Sequence, residues 1–159
     1  LDVEETGTTF AANARIKALA VAQATGHWAL ADDSGLSVSA LNGAPGVHSA
    51  RYAPTDPERI KKLLEALRPG HERSAYFSAA LCIAAPDGEV LVEVEGRCEG
   101  QITKAPRGDQ GFGYDPIFEV NNTGRTFAEM ALSEKKSYGH RGRAFALLEP
   151  LLKNLISAD

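Results

Sequence analysis

Two adjacent carboxylates, Asp32 and Asp33, end a short apolar run in HWALADDSGLSV, residues 27–38. Successive side chains of an extended chain point to opposite faces, so one acid of such a pair serves a given site while its neighbour faces away. Ser34 and Gly35 follow, adding a hydroxyl and a flexible backbone. This set suits Mg²⁺, which takes carboxylate and phosphate oxygens, with one acid acting as general base. It equally suits a plain turn or helix cap, and the stretch alone leaves both readings open. The acidic pair Glu4–Glu5 is either a further source of metal carboxylates or a solvated segment.

Two further stretches carry candidate chemistry. In GDQGFGYDP, residues 108–116, three glycines free the backbone around Phe112, Tyr114 and Asp115. An aromatic on such a loop can stack on a nucleobase, and a carboxylate beside it can accept ring N–H groups. A tight turn around a core aromatic fits the same pattern. In SEKKSYGHRGRA, residues 133–144, the cations Lys135, Lys136, His140, Arg141 and Arg143 crowd together, with Gly139 and Gly142 bracketing the His-Arg pair. Cations at a helix start oppose the helix dipole unless an anion is also present, which points to a phosphate or a nucleotide carbonyl as the partner.

These residues need elements to hold them. Residues 9–25 read as an alanine-rich helix ended by Gly26. Strands are expected over 28–31 and 36–41, on either side of an acidic turn, followed by the loop NGAPGVHSARYAPTD. Thr55 and Glu58 form a capping box opening a helix with an apolar stripe of Ile60, Leu63, Leu64 and Leu67, ended by Pro69-Gly70. Residues 74–85 and 89–103 predict a long hairpin turning at Asp87-Gly88, with Pro86 facing Glu89 and Cys82 facing Glu93. A short strand IFEV and a second capping box, Thr126 with Glu129, come next. The last helix starts near 141, with Ala144, Leu147, Leu148, Leu151, Leu152 and Leu155 on one face. Pro150 predicts a kink or break near Glu149, since an interior proline costs roughly 3 kcal/mol. Early alternation of helix and strand followed by a hairpin indicates an α/β protein with a mixed β-sheet.

The bulk properties fit one domain: 159 residues, 43% of them hydrophobic. A net charge of −4 argues against a broad nucleic-acid surface while leaving room for a nucleotide, which needs only a local cationic pocket. No run of 18 apolar residues is present, so no membrane partner is expected. The two cysteines, Cys82 and Cys98, read as free buried thiols in a reducing compartment.

Taken in order, EETGTTF, NARIKA, ADDSGL, LNGAPGVHSARYA, GFGYDPIF, AEM and EKKSYGHRGRA resemble the inosine triphosphate pyrophosphatase family, the non-canonical purine NTP pyrophosphatases. The resemblance spans nearly the whole chain. It implies a mixed sheet with flanking helices in an elongated, two-lobed α/β domain with a central cleft. It further implies a cytoplasmic homodimer that depends on Mg²⁺ and hydrolyses ITP, dITP and XTP to the monophosphate and pyrophosphate.

By matching motifs, the resemblance makes Asp33 the general base and a metal ligand, with Asp32 in support and Glu4 or Glu5 as the second metal carboxylate. Ser34 and Lys17 would face the phosphates. Phe112, Gly113, Tyr114, Asp115, Lys135, His140 and Arg141 would hold the base. A water beside Asp33 would then attack the α-phosphate. The alternatives are a related pyrophosphatase acting on other modified nucleotides, or nucleotide binding without turnover.

Three departures from the family pattern stand out. Its first strand and its [ST]-x-N-x-x-K loop, which grips the triphosphate, have no counterpart in residues 1–159, so the N-terminal strand is expected to be missing from this single domain. Ala12 stands where a glutamate is usual. Gly139 replaces the serine that commonly precedes the His-Arg pair, which predicts a looser loop.

Overall fold

The computed structural model describes residues 3–157. It is a mixed α/β chain with helices α1 (Phe10–Thr25), α2 (Asp56–Ala66), α3 (Leu132–Tyr138) and α4 (His140–Ser157). Strands β1 (Ala29–Val38), β2 (Ser74–Ala84), β3 (Val90–Ile102) and β4 (Phe118–Val120) form a four-stranded sheet in the order β1-β2-β3-β4, with β3 and β4 antiparallel. The chain divides into two compact units. The first comprises Leu1–Ser34, Ser78–Arg97 and His140–Asp159, the second Gly35–Phe77 and Cys98–Gly139.

In the first unit, α1 begins at Thr9, whose hydroxyl accepts the Ala12 N–H at 3.1 Å. It ends at Gly26, which takes φ +73° and returns its N–H to the Ala22 carbonyl. Only glycine adopts that conformation without strain. Ala14, Ala18 and Ala22, one turn apart, form a fully buried stripe. Ala79, Leu81 and Ile83 of β2, Val92 of β3, and Ala144 and Leu148 of α4 make the unit's apolar core. Gly96 on β3 meets the first turn of α4 so closely that an added Cβ would run into the backbone of His140 and Ala144. Its lack of a side chain fixes where α4 starts.

The second unit packs Phe77, Phe118 and Phe127 together, with ring centroids 4.6–5.8 Å apart, among Leu36, Leu63, Ile117 and Met130. The predicted stripe of α2 lies here: Ile60, Leu63 and Leu67 are buried, and Leu64 packs against the cluster. Thr55 caps α2 through its hydroxyl, and the Thr126–Glu129 capping box is complete.

Several sequence expectations change. The acids do not sit in a turn: β1 runs unbroken from Ala29 to Val38 through Asp32 and Asp33. Each carboxylate finds a cation on its own side of the extended chain, so the backbone need not bend. The hairpin turns one residue earlier than expected. Gly88 donates to the Ala85 carbonyl, and Ala85 pairs with Glu89 at 2.8 Å in place of Pro86. Pro86 has no N–H for the ladder, and its fixed φ suits the first corner of a turn. The last helix continues through Pro150 without a break. Finally, Gly139 makes a tight junction between α3 and α4 rather than a loose loop: it is buried, and its N–H reaches the Lys135 carbonyl at 2.7 Å. Cys82 and Cys98 are free and buried, as expected. Among the described residues, no helix is long and apolar enough to cross a membrane.

The first turn of α1 contains no acid. Ala12→Glu places one at the third helical position, where it can reach back to the Thr9 N–H and favour the positive end of the helix. A gain of about 0.3–1 kcal/mol is expected, read as a melting temperature higher by roughly 1–3 °C. An unchanged or lower value would show that the neighbouring Gly7 and Asn13 leave no room for the longer side chain.

Candidate active site

The first unit gathers the acidic cluster. Lys17 and Asn13 lie one turn apart on α1, so both reach the same side. Lys17 Nζ stands 3.6 Å from Asp33 Oδ1 and 3.8 Å from a Glu5 carboxylate oxygen. Asn13 is wholly buried and is bonded in both directions to the Gly7 backbone: its Oδ1 accepts the Gly7 N–H at 2.7 Å, and its Nδ2 donates to the Gly7 carbonyl. This bond pins the segment that carries Glu5. An added Cβ on Gly7 would fall 2.7 Å from that Oδ1, so glycine is required there.

Asp33 is 12% exposed at its side chain, and its Oδ2 is buried without a hydrogen-bond partner. Burial pushes its carboxyl from 3.8 up to about 6; Lys17 pulls it down, the Glu5 charge pushes it up, and a hydrogen bond from Asn13 favours the ionised form. A buried carboxylate oxygen with nothing to bind, next to a second carboxylate, is a fit for a hard cation with oxygen ligands. Among the described residues, no group of three or more His, Cys, Asp or Glu is placed to hold a metal. The carboxylates near each other here are Glu5 and Asp33, both within 4 Å of Lys17 Nζ.

Asp32, on the other face of β1, is exposed and lies 3.6 Å from Arg141 Nη2. The same nitrogen donates to Ser34 Oγ at 3.2 Å. Arg141 stands in the first turn of α4, just after the half-buried His140, and Arg143 donates to the Arg97 carbonyl at 2.7 Å. Asp32 therefore supplies negative charge beside this cationic helix start.

The second unit gathers the glycine-rich loop. Phe112 is 68% exposed. Asp115 is buried, and its Oδ2 accepts both the Phe112 N–H at 3.1 Å and Lys135 Nζ at 2.6 Å. Burial raises the Asp115 carboxyl, and Lys135 opposes that rise. Lys135 Nζ also lies 4.7 Å from the Phe112 ring centroid, a cation–π distance. Tyr114 is buried, and its hydroxyl donates to the Ser49 carbonyl at 2.7 Å. Gly113 takes φ +62° and donates its N–H to Asp56.

In the first unit the candidate residues fall into two sets: Glu5, Lys17 and Asp33 on one face of β1, and Asp32, Ser34 and Arg141 on the other, with His140 beside Arg141 in the chain. Phe112, Gly113, Tyr114, Asp115 and Lys135 come together in the second unit. Glu4 is exposed, as is Lys136. Sequence reasoning missed Asn13, Ser49 and Asp56, which hold backbone in place. The one available signal was for Asn13: it lies four residues before Lys17, and so on the same helix face.

The fold has counterparts among known proteins. The model of the Ham1 family matches residues 1–151, and the chain belongs to that family. It is 76% identical over 158 residues to a protein of Parasynechococcus marenigrum (strain WH8102) named dITP/XTP pyrophosphatase, covering 99% of this chain and 81% of that one. A dITP/XTP pyrophosphatase of Synechococcus sp. (strain CC9311) is 68% identical, with 100% and 77% covered. Among solved structures, a HAM1 protein from Coxiella burnetii superposes with a TM-score of 0.93 at 48% identity, over 97% of this chain and 81% of that one. The Staphylococcus aureus Ham1 protein gives 0.92 at 42% identity, with the same coverage.

The raised carboxyl of Asp33 has a consequence for stability. A folded-state value above the unfolded one means that the ionised form is penalised in the fold. The penalty is complete above about pH 6, is relieved as the pH falls, and is gone below about pH 4. Asp33→Asn should therefore stabilise the metal-free protein at pH 7.5, by on the order of 2–3 kcal/mol, and by nothing at pH 4. Urea unfolding in EDTA at the two pH values measures this. An equal effect at both would show that the charge of Asp33 carries no cost.

Proposed function

We propose that the chain hydrolyses non-canonical purine nucleoside triphosphates (ITP, dITP and XTP) to the nucleoside monophosphate and pyrophosphate. The observation that carries the reading is the buried, unpartnered Oδ2 of Asp33, in a chain whose relatives are named dITP/XTP pyrophosphatases. The family resemblance adds Mg²⁺ as cofactor, a homodimer and a cytoplasmic location. Residues 1–159 are read as one pyrophosphatase domain, because β1, β2 and β3 each contribute residues to both units.

In this reading, Asp33 and Glu5 would hold the metal, with Glu4 exposed beside them. Bound Mg²⁺ would neutralise phosphate charge and polarise the α-phosphoryl group. Asp33 takes the proton of the attacking water. A new oxygen–phosphorus bond forms at the α-phosphorus, its bond to the bridging oxygen breaks, and pyrophosphate leaves. Lys17 and Ser34 face the phosphates, and the Lys17 cation offsets charge that builds on the leaving group. Asp32 holds Arg141. Phe112 stacks on the base while Lys135, steadied by Asp115, lies against its ring. Gly113 and Tyr114 set the loop, and His140 and Arg141 supply donors for the base carbonyl.

Pyrophosphate release from ITP is the direct test. Asp33→Asn should lower kcat by about 10²–10⁴-fold, and Asp32→Asn by less. Mg²⁺ should also raise the melting temperature of the wild type but not of Asp33→Asn. Near-normal turnover in Asp33→Asn would remove this assignment.

Base choice gives a second test. Hypoxanthine and xanthine present a 6-keto acceptor where adenine presents an amino group, and a site built around that bond can reject its mismatch by roughly 10⁴-fold. Guanine keeps the carbonyl, so its rejection must arise at the 2-amino group. Discrimination against dGTP should be weaker than against dATP. The opposite ranking in kcat/KM would mean that the keto group is not what is read.

A further inference from the structure

The exposed ring of Phe112 stands on a backbone that is held from several sides, and one hold comes from outside the loop. Gly113 has no side chain and takes φ +62°, so its N–H is what it offers for fixing the turn. That N–H goes to Asp56 Oδ2 at 2.9 Å, at the first residue of α2. The Phe112 carbonyl belongs to the same planar peptide unit and accepts the Asp115 N–H at 3.2 Å. The plane is therefore held at both edges, which fixes the direction in which Phe112 leaves the backbone. Asp56 is itself braced: its Oδ1 accepts Arg59 Nη1 at 2.6 Å, and Arg59 Nη2 donates to the Ala50 carbonyl at 2.6 Å. Both carboxylate oxygens are thus engaged, one by its own helix and one by the loop.

We infer that Asp56 is a positioning residue for purine recognition: it orients the Phe112–Gly113 peptide, and so sets binding of the base without taking part in phosphate chemistry. The inference rests on the reading of the Phe112 loop as the base contact. Losing Asp56 leaves the Gly113 N–H without its acceptor and frees the peptide to rotate, a change worth about tenfold in binding.

Calorimetric titration of the full chain with IMP and, separately, with inorganic pyrophosphate tests this. Asp56→Ala should weaken IMP about tenfold, leave pyrophosphate within twofold, and raise KM for ITP with kcat retained. Asp56→Asn keeps an oxygen that can accept the Gly113 N–H and should stay within about threefold of wild type for IMP. Glu58→Ala removes an exposed acid from the same helical turn and should change neither ligand. Should the alanine variant fail to fold, Asp56→Ser replaces it with the same expected outcome, because its hydroxyl falls short of Gly113. Wild-type IMP binding in Asp56→Ala, or an equal loss of IMP and pyrophosphate binding, would overturn the inference. So would an Asp56→Asn variant as weak as Asp56→Ala, since the acceptor would then not be what matters. Phe112→Ala separates the two levels. If it binds IMP normally, the base-contact reading fails and takes the inference with it; if it weakens IMP while Asp56→Ala does not, only the inference fails.

Discussion

Lys17 stands within 4 Å of both Asp33 and Glu5, and its single positive charge is what allows two carboxylates to share one largely dry place. The balance is deliberately incomplete in electrostatic terms: two negative charges face one positive, and Asp33 Oδ2 has no donor at all. Burial of an ion is tolerated only with good pairing, and a half-paired one costs stability. Much of the first unit serves this arrangement. The Thr9 cap sets the start of α1, α1 places Asn13 and Lys17 on one side, and Asn13 clamps Gly7 so that the segment bearing Glu5 is held. Across the strand, Arg141 repeats the logic in a wetter setting, with Asp32 half exposed.

The second unit solves its positioning problem with backbone instead. Its loop carries glycines at positive φ at 108, 111 and 113. At 111 a side chain would collide with the Asp115 carboxylate, so that position is closed to anything larger. Three neighbouring residues, Phe112, Gly113 and Tyr114, each send a hydrogen bond to a different anchor: Asp115, Asp56 and Ser49. Ser49 is braced in turn, accepting the Leu36 N–H and donating to the Gly46 carbonyl. An exposed phenylalanine on a loop would ordinarily sample many directions. Here three hydrogen bonds hold the backbone that carries it.

How much of this was legible in the sequence depended on the range of the forces involved. Helix boundaries at Thr9, Gly26, Thr55 and Thr126 were readable because caps are local chemistry. The fate of the acidic stretch was not, because the cations that let β1 stay extended come from α1 and from the distant Arg141. The hairpin register was missed by one residue, since Asp87-Gly88 was given the turn that Pro86-Asp87 makes. Charged and aromatic candidates such as Asp33, Lys17, Phe112 and Lys135 stand out by type. Asn13, Ser49 and Asp56 do not, because an anchor for a backbone N–H or carbonyl has no signature beyond being polar.

The order in which the chain visits its two units bears on how the protein is made. The first unit is assembled from three separated segments, and α4, which supplies Ala144 and Leu148 to its core, is the last of them. On the ribosome, both segments of the second unit are complete before the final segment of the first emerges. The acidic cluster therefore spends the latter part of synthesis without the helix that carries Arg141, and with the apolar residues of β2 and β3 uncovered. Vectorial emergence would leave that surface exposed to chaperones until α4 docks, and no continuous fragment of the chain reproduces either unit by itself.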